Sequence, residues 1–225
     1  MNYYLVLALL IGTLAMLGVM LLARKWIVVK CSKVILFSVL LTVCGFASVK
    51  LMYFIENGEW DGLSFFGAIL FEPLFILLLS LILREKWTTL LDLSAPSISV
   101  MQAVMKLECL RSGCCRGRLL YLNPETGKQF VFPSREVELI AALLIATLLV
   151  YLISRKKTQG EIYPIYMVIY GIVRFALNWF RDSREAFVWL LPAGNFWALV
   201  AILIGAIWLL NLRQEKNRSQ GNSAL

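Results

Sequence analysis

The chain has 225 residues, of which 60% are apolar and only 16% charged, at a mean hydropathy of +0.77. Soluble domains carry about a quarter of their residues as charges, so this composition excludes a soluble globular fold, a disordered chain and a disulfide-stapled secreted module; it is that of an integral membrane protein. Twenty-two Lys and Arg against fourteen Asp and Glu give a net charge of +8, and the absence of His removes imidazole acid–base catalysis, His-ligated metals and His pH sensing.

A hydrocarbon core of roughly 30 Å needs about 20 apolar helical residues to cross it. Tyr3–Ala23 is an uncharged first span. No basic stretch precedes it and positive charges follow it, so it reads as a retained span and not as a signal peptide. Residues 34–55 form the second span, interrupted by Lys50 near its end. Residues 63–83 form the third, with Glu72 in the middle and Pro73 beside it, where the helix opens and frees a carbonyl. Residues 87–105 are a poorer candidate, broken by Asp92, Pro96 and several serines. The uncharged run 139–153, the helix 162–180 with Arg174 inside it, and the uncharged run 186–212 complete the series. Pro192, Gly194 and Asn195 mark a break near the outer end of the last.

Loop charge decides whether 87–105 crosses. The first loop holds Arg24, Lys25, Lys30 and Lys33 and no acid, whereas the second holds Glu56, Glu59 and Asp61 and no base. Arg84 and Lys86 flank Glu85 in the third loop, Arg155, Lys156 and Lys157 fill the fifth, and Arg213, Lys216 and Arg218 sit in the tail. With 87–105 as a span, all these basic clusters fall on the cytoplasmic side and the acidic loop outside, as the positive-inside rule expects. The predicted fold is therefore all-α: a polytopic membrane bundle of seven transmembrane helices, N-terminus outside and C-terminus cytoplasmic. Residues 1–212 make a single transmembrane domain, and 213–225 a basic cytoplasmic tail.

One segment departs from the charge rule. Residues 106–136 lie outside, yet carry Lys106, Arg111, Arg116, Arg118, Lys128 and Arg135 against Glu108, Glu125 and Glu136. Bases kept there suit an anionic group of the outer leaflet, such as a lipid phosphate, for which Arg offers a matching fork of donors. A solvated loop without specific partners is the plainer reading. Arg174 lies roughly 18 Å from the cytoplasmic end of its span, and Glu72 roughly 14 Å from the outer end of its own, at nearly the same level. Charges at that depth are costly unless they face a partner or a wet cavity, so the two either pair inside the bundle or serve a site. Tyr170, Arg174 and Asn178 are spaced four apart, with Arg181 three further on, giving a polar stripe on an otherwise greasy helix. That stripe points towards a cavity.

Cys31 and Cys44 read as ordinary membrane residues. Cys109, Cys114 and Cys115 lie in the outside segment; a disulfide among them is open, but without His or a second CxxC they do not read as a metal site. No phosphate-cradling Gly loop, Ser-centred elbow or nucleotide fingerprint occurs, which argues against an energised pump.

GLSFFGAIL at 62–70, KLECLRSGCCRGR at 106–118, FPSREVE at 132–138 and YGIVRFALNWFR at 170–181 resemble, in that order, four motifs of the bacterial prolipoprotein diacylglyceryl transferase family. The first resembles its Gly, apolar run, His and Gly-Gly pattern, and the second its signature loop in the variant with Cys for Asn. The third resembles its Pro-Ser-Gln-Leu-Tyr-Glu motif, and the fourth its Tyr-Gly-x-x-Arg-Phe motif. The family has seven spans and an external N-terminus.

The resemblance implies that the chain moves a diacylglyceryl group from phosphatidylglycerol to the thiol of a lipobox cysteine on a preprolipoprotein. Glycerol phosphate would be released, in the plasma (inner) membrane of a bacterium. By resemblance Arg174 is the essential Arg, Tyr170 its neighbour, Glu138 the motif Glu, Gly113 a loop Gly and Arg181 a further basic position. The candidate site thus has Arg174, Tyr170 and Glu138 as catalytic residues, with Lys106, Arg111, Gly113, Arg116, Arg118, Arg181 and Glu72 binding substrate. The expected partners are phosphatidylglycerol, the lipobox peptide and the bilayer, with no nucleic acid, metal or cofactor.

The chain departs from the family at Phe66, where the family has its His, at Lys106 for an Arg and at Cys109 for an Asn. Arg135, Glu136 and Val137 replace Gln, Leu and Tyr, and Asn178 replaces a Glu. Without that His, the acceptor thiolate forms with Glu138 or Glu72 assisting. Two other readings stand beside transfer. One is a relative that binds anionic lipid without chemistry, which Phe66 favours. The other is a small transporter using Glu72 and Arg174 as a conducting pair, against which the lack of an internal repeat counts.

Overall fold

The computed structural model describes residues 3–125, 127–155, 160–181, 186–188 and 191–222, with 186–188 and 219–222 described by backbone alone. Lys156 and Lys157 of the fifth loop, residues 189–190 of the last predicted span and 223–225 of the tail lie outside the described residues. The described residues form eight helices: α1 (Tyr3–Ala23), α2 (Cys31–Asn57), α3 (Phe66–Leu70), α4 (Glu72–Leu83), α5 (Trp87–Ser112), α6 (Ser134–Ser154), α7 (Ile162–Asn178) and α8 (Ala193–Asn222). Strands β1 (Leu119–Leu122) and β2 (Gln129–Val131) pair antiparallel, as do β3 (Ala186–Val188) and β4 (Leu191–Pro192). Helices α1, α2, α6 and α8 are long and apolar enough to cross a membrane. Leu14, Leu81, Ile82, Leu144 and Leu203 are exposed on the outward surface, where a lipid-facing bundle places its aliphatic side chains.

The polar run 87–105 becomes the first part of α5, and its burial explains its composition. Residues 89–99 are all buried, packed among α1, α6 and α7. Ser94 and Ser97 donate to the carbonyls of Leu91 and Leu93, and Ser99 donates to that of Ala142 on α6. Asp92 accepts the backbone N–H groups of Gly160 at 2.6 Å, Ile162 at 3.0 Å and Tyr163 at 3.4 Å, satisfying donors at the start of α7. A helix surrounded by protein tolerates polar groups that lipid would reject.

Residues 63–83, expected as one span, divide instead into α3 and α4 at Phe71. Pro73 lacks an N–H, so the Ile69 carbonyl loses its helical partner. The Tyr163 hydroxyl of α7 donates to that carbonyl at 3.0 Å, with the Ala68 carbonyl at 3.4 Å. The break leaves Glu72 at the head of α4. Beside it α3 lies hard against α2: a Cβ on Gly67 would come within 2.0 Å of the Ser48 carbonyl oxygen.

The last predicted span also starts later than residue 186. Residues 186–188 and 191–192 pair as a ribbon, and α8 begins at Ala193, directly after Pro192. It then runs to Asn222, straight through the basic residues assigned to a separate tail, because Arg213, Gln214, Glu215 and Lys216 are good helix formers. Helices α7 and α8 meet closely through small residues. A Cβ on Gly171 would lie 2.9 Å from the Ala198 carbonyl oxygen, and one on Gly205 the same distance from that of Pro164.

Two sets of contacts define opposite ends of the bundle. At one end Lys33 Nζ lies 2.6 Å from Glu85 Oε1, near the Asp92–Gly160 contact. At the other the Arg111 guanidinium covers the Tyr4 ring at 3.4 Å, and the Arg118 N–H donates to the Phe180 carbonyl at 2.7 Å. Asp92→Ala strips the start of α7 of its acceptor. The expected cost is about 1–3 kcal/mol, read as a lower midpoint of thermal unfolding in detergent; an unchanged midpoint would refute the capping role.

Candidate active site

Glu138 stands one turn into α6 with its side chain only 2% exposed. Three cations from separate segments converge on it. Lys106 of α5 contacts Oε2 through Nζ, Arg174 of α7 places Nη1 2.5 Å from Oε2, and Arg181, just beyond α7, places Nη1 3.7 Å from Oε1. A buried carboxylate requires such partners, and here they outnumber its charge, so the cluster is net positive. Among the described residues neither Nε nor Nη1 of Arg174 makes an aligned hydrogen bond. The contact with Glu138 is therefore ionic, and donor capacity remains.

Other polar atoms around the cluster are buried without a partner among the described residues: the Tyr170 hydroxyl, Asn178 Nδ2 and Gln102 Oε1. Each such orphan costs of order 1–3 kcal/mol, which a polar ligand would offset. A cavity of about 420 Å³ adjoins them. Lys106, Glu138, Tyr170, Arg174, Asn178 and Arg181 border it at one end, while Leu9, Met16, Leu41 and Ile98 supply greasy wall. Ala193 and Gly194, the first residues of α8, also border it and bring the N–H groups of a helix start. A cationic, donor-rich end joined to an aliphatic one suits an amphiphile with an anionic head.

Glu72 lines the same cavity from the head of α4 and is 2% exposed. It does not pair with Arg174, because Glu138 on the adjoining helix takes that guanidinium; no ion pair or hydrogen bond engages the Glu72 side chain among the described residues. Phe66, where the motif resemblance implies a His, is buried in the cavity wall, edge-on to the Tyr170 ring with centroids 5.8 Å apart.

Of the residues expected from sequence, Lys106, Glu138, Tyr170, Arg174, Arg181 and Glu72 meet at this cavity, and Arg111, Gly113, Arg116 and Arg118 do not. Arg111 is held by Glu108 through bonds of 2.9 and 2.8 Å and lies on Tyr4. Arg116 and Arg118 are exposed. The cause is local geometry. Helix α5 ends at Ser112 and Gly113, at φ 73°, reverses the chain, so the arginines beyond it swing outward while Lys106 and Cys109 stay on the cavity face. Gly113 thus makes the turn. Cys115, at φ 56°, folds back to line the cavity as well. The thiol of Cys109, with Lys106 and Arg181, holds the Cys115 thiol well below the ordinary thiol range.

Among the lining residues that the sequence reading does not single out for the site are Gln102 and Glu56. Gln102 precedes Lys106 by four, one helical turn, so its position on the same face was legible. Glu56 was counted only as loop charge, yet it lines the cavity and accepts a hydrogen bond from Ser64 Oγ at 2.9 Å.

The prolipoprotein diacylglyceryl transferase family model matches residues 3–211. A protein of Clostridium perfringens named phosphatidylglycerol–prolipoprotein diacylglyceryl transferase 2 is 27% identical over 209 residues, covering 81% of this chain and 80% of its own length. A protein of Dehalococcoides mccartyi named phosphatidylglycerol–prolipoprotein diacylglyceryl transferase is 24% identical over 193 residues, 76% of this chain and 74% of its own. A Clostridium tetani protein of the same name is 24% identical over 163 residues, 68% and 64% of the two chains.

Glu138→Gln leaves three cations with no counter-charge and is expected to destabilise the protein by about 3–5 kcal/mol. The thermal midpoint in detergent should fall, and added anionic phospholipid should restore part of it by supplying a phosphate in place of the carboxylate. A midpoint equal to wild type would show that the cluster does not depend on Glu138.

Proposed function

The chain belongs to the prolipoprotein diacylglyceryl transferase family, and from that premise we propose that it transfers the diacylglyceryl group of phosphatidylglycerol to the thiol of a lipobox cysteine. The observation that carries the reading is the cluster of Lys106, Arg174 and Arg181 on the buried Glu138, bordering a cavity with aliphatic walls. The lipid phosphate sits against the three cations and the start of α8, with the acyl chains along Leu9, Met16 and Leu41. The acceptor sulfur attacks the glyceryl carbon that carries the phosphate ester. The carbon–oxygen bond breaks, its electron pair leaves on the phosphate oxygen, and glycerol phosphate departs. Negative charge grows on that oxygen, where preorganised cations stabilise the transition state most. Glu138 gathers the cations at one point, the Tyr170 hydroxyl donates to the phosphate, and Glu72 binds the glyceryl portion.

The same reading takes the chain as one transmembrane domain of seven spans in a bacterial plasma membrane, with α3 and α4 together making one crossing. The contact of Lys33 with Glu85 supports it by joining the basic first loop to the third at one end. Tyr4 and Arg111 meet at the other, which supports the N-terminus and the 106–136 segment sharing one side, the outside by the charge rule, with the C-terminus in the cytoplasm. A second reading, lipid binding without chemistry, is favoured by Phe66 in place of the His.

Purified protein incubated with phosphatidylglycerol and a lipobox peptide separates the two. A diacylglyceryl adduct on the peptide, detected by mass spectrometry and reduced by Arg174→Ala at least about 100-fold, is the expected result. Arg111→Ala, outside the cavity, should leave the yield unchanged. Phospholipid retained through purification with no adduct would select the binding reading instead.

A further inference from the structure

We propose that Cys109, Cys114 and Cys115 hold a thiophilic divalent cation of the zinc type, and that its open coordination position takes the acceptor thiol and turns it into the attacking thiolate. The identity of that thiol rests on the transfer reading above; the metal site itself does not.

Geometry comes first. The three Sγ atoms all lie within 4.8 Å of one another. Tetrahedral zinc–thiolate bonds of about 2.3 Å place sulfurs about 3.8 Å apart, so a contraction of roughly 1 Å closes the set. The chain is shaped to bring them together. Cys109 belongs to the last turn of α5, and two left-handed residues on either side of Cys114, Gly113 at φ 73° and Cys115 at φ 56°, fold the following segment back over the helix end. A side chain other than Gly at such a φ is costly and persists only where its surroundings impose it. Here the Gly117–Arg181 bridge and the Arg118 N–H to Phe180 carbonyl bond pin the returning segment. Sequence spacing concealed this, because one cysteine on the helix and an adjacent pair beyond it match no metal-ligand pattern; the turn supplies the proximity.

The chemistry of the surroundings agrees. Three thiolates select a soft ion over magnesium or calcium. A dication with three thiolates carries one net negative charge, and Lys106 and Arg181 act electrostatically on Cys115. Cys114 is exposed, which gives the ion access from water, while Cys109 and Cys115 line the cavity that Arg174 and Tyr170 also line. Three protein ligands and one open position are the arrangement of catalytic rather than structural zinc. The site also meets a need. The chain has no His, Phe66 fills that place in the cavity wall, and Glu138 is already engaged by three cations.

The step balances without an oxidant or reductant. The acceptor S–H binds at the open position and releases its proton to solvent, since a coordinated thiol is deprotonated outright. The bound thiolate forms the sulfur–carbon bond as the carbon–oxygen bond to phosphate breaks. The thioether product is a poor ligand and leaves the ion.

The test uses the reduced full-length chain in detergent, titrated with Cd2+ and, separately, with Co2+. Expected are a sulfur-to-cadmium charge-transfer absorption saturating at one equivalent per chain, lost in Cys109→Ser and Cys115→Ser, and weakened in Cys114→Ser, whose exposed position does not challenge folding. The visible spectrum of the cobalt form should shift on adding a lipobox peptide and not its Ser analogue. Absence of the cadmium band, its persistence in all three variants, or a Cys109–Cys115 disulfide that excludes cadmium from protein purified without reductant overturns the site. A cobalt spectrum indifferent to the peptide overturns the thiol-activating role. Neither readout needs turnover. Missing lipid adduct beside an intact cadmium and cobalt response sinks the transfer reading and supports this one, whereas wild-type transfer by the metal-free Cys109→Ser and Cys115→Ser proteins overturns this one alone.

Discussion

A carboxylate buried among apolar helices is stable only with positive charge against it, and Glu138 draws that charge from three places at once. Lys106 arrives from α5, Arg174 from α7 and Arg181 from the segment after α7, while Glu138 itself belongs to α6. Because no helix supplies more than one of the four groups except α7 and its extension, the cluster locks the mutual rotation of α5, α6 and α7. The same excess of cations that compensates Glu138 leaves positive charge bordering the cavity, so the interaction that holds the helices in place is also the one to which the proposed function assigns the anionic head.

The rest of the architecture follows the rule that polar groups inside a membrane bundle need internal partners. Pro73 breaks a helix, and Tyr163 donates to the carbonyl it frees; the backbone N–H groups at the start of α7 would be orphaned, and Asp92 accepts them. Serines that would be costly against lipid are satisfied on the enclosed α5. Against that background the atoms of Arg174, Tyr170, Asn178 and Gln102 that lack a partner among the described residues stand out, and these four residues line one cavity.

The reaction makes two opposed electrostatic demands. Charge leaving on a phosphate is stabilised by cations, whereas an attacking sulfur must first become an anion close to them. The two demands lie side by side in the cavity: Lys106 and Arg181 sit on Glu138 and also act on the Cys115 sulfur, which lines the cavity from the turn after α5. Phe66 gives the cavity an apolar wall edge-on to Tyr170, and in the metal proposal the generation of the nucleophile falls to the cysteines instead.

Hydropathy runs foretold the positions of α1, α2, α6 and α7 closely, because the cost of placing each side chain in lipid is a property of that residue and sums locally. Arg174 and Glu72 were conspicuous for the same reason: a charge at membrane depth is anomalous without knowing anything else. Which group answers Arg174 was not legible, since Glu138 and Glu72 were equally available until helix packing set the first within 2.5 Å and left the second without an ion pair among the described residues. Nor could a count of charges in the outer segment show that Lys106 turns inward while Arg111, on the same helix, settles on Tyr4, a difference of helical face. The gathering of three cysteines depended likewise on two left-handed backbone conformations. One-dimensional order records what each residue costs in water or lipid; the distances between residues remote along the chain, on which ion pairs and ligand sets depend, come into being only when the helices pack.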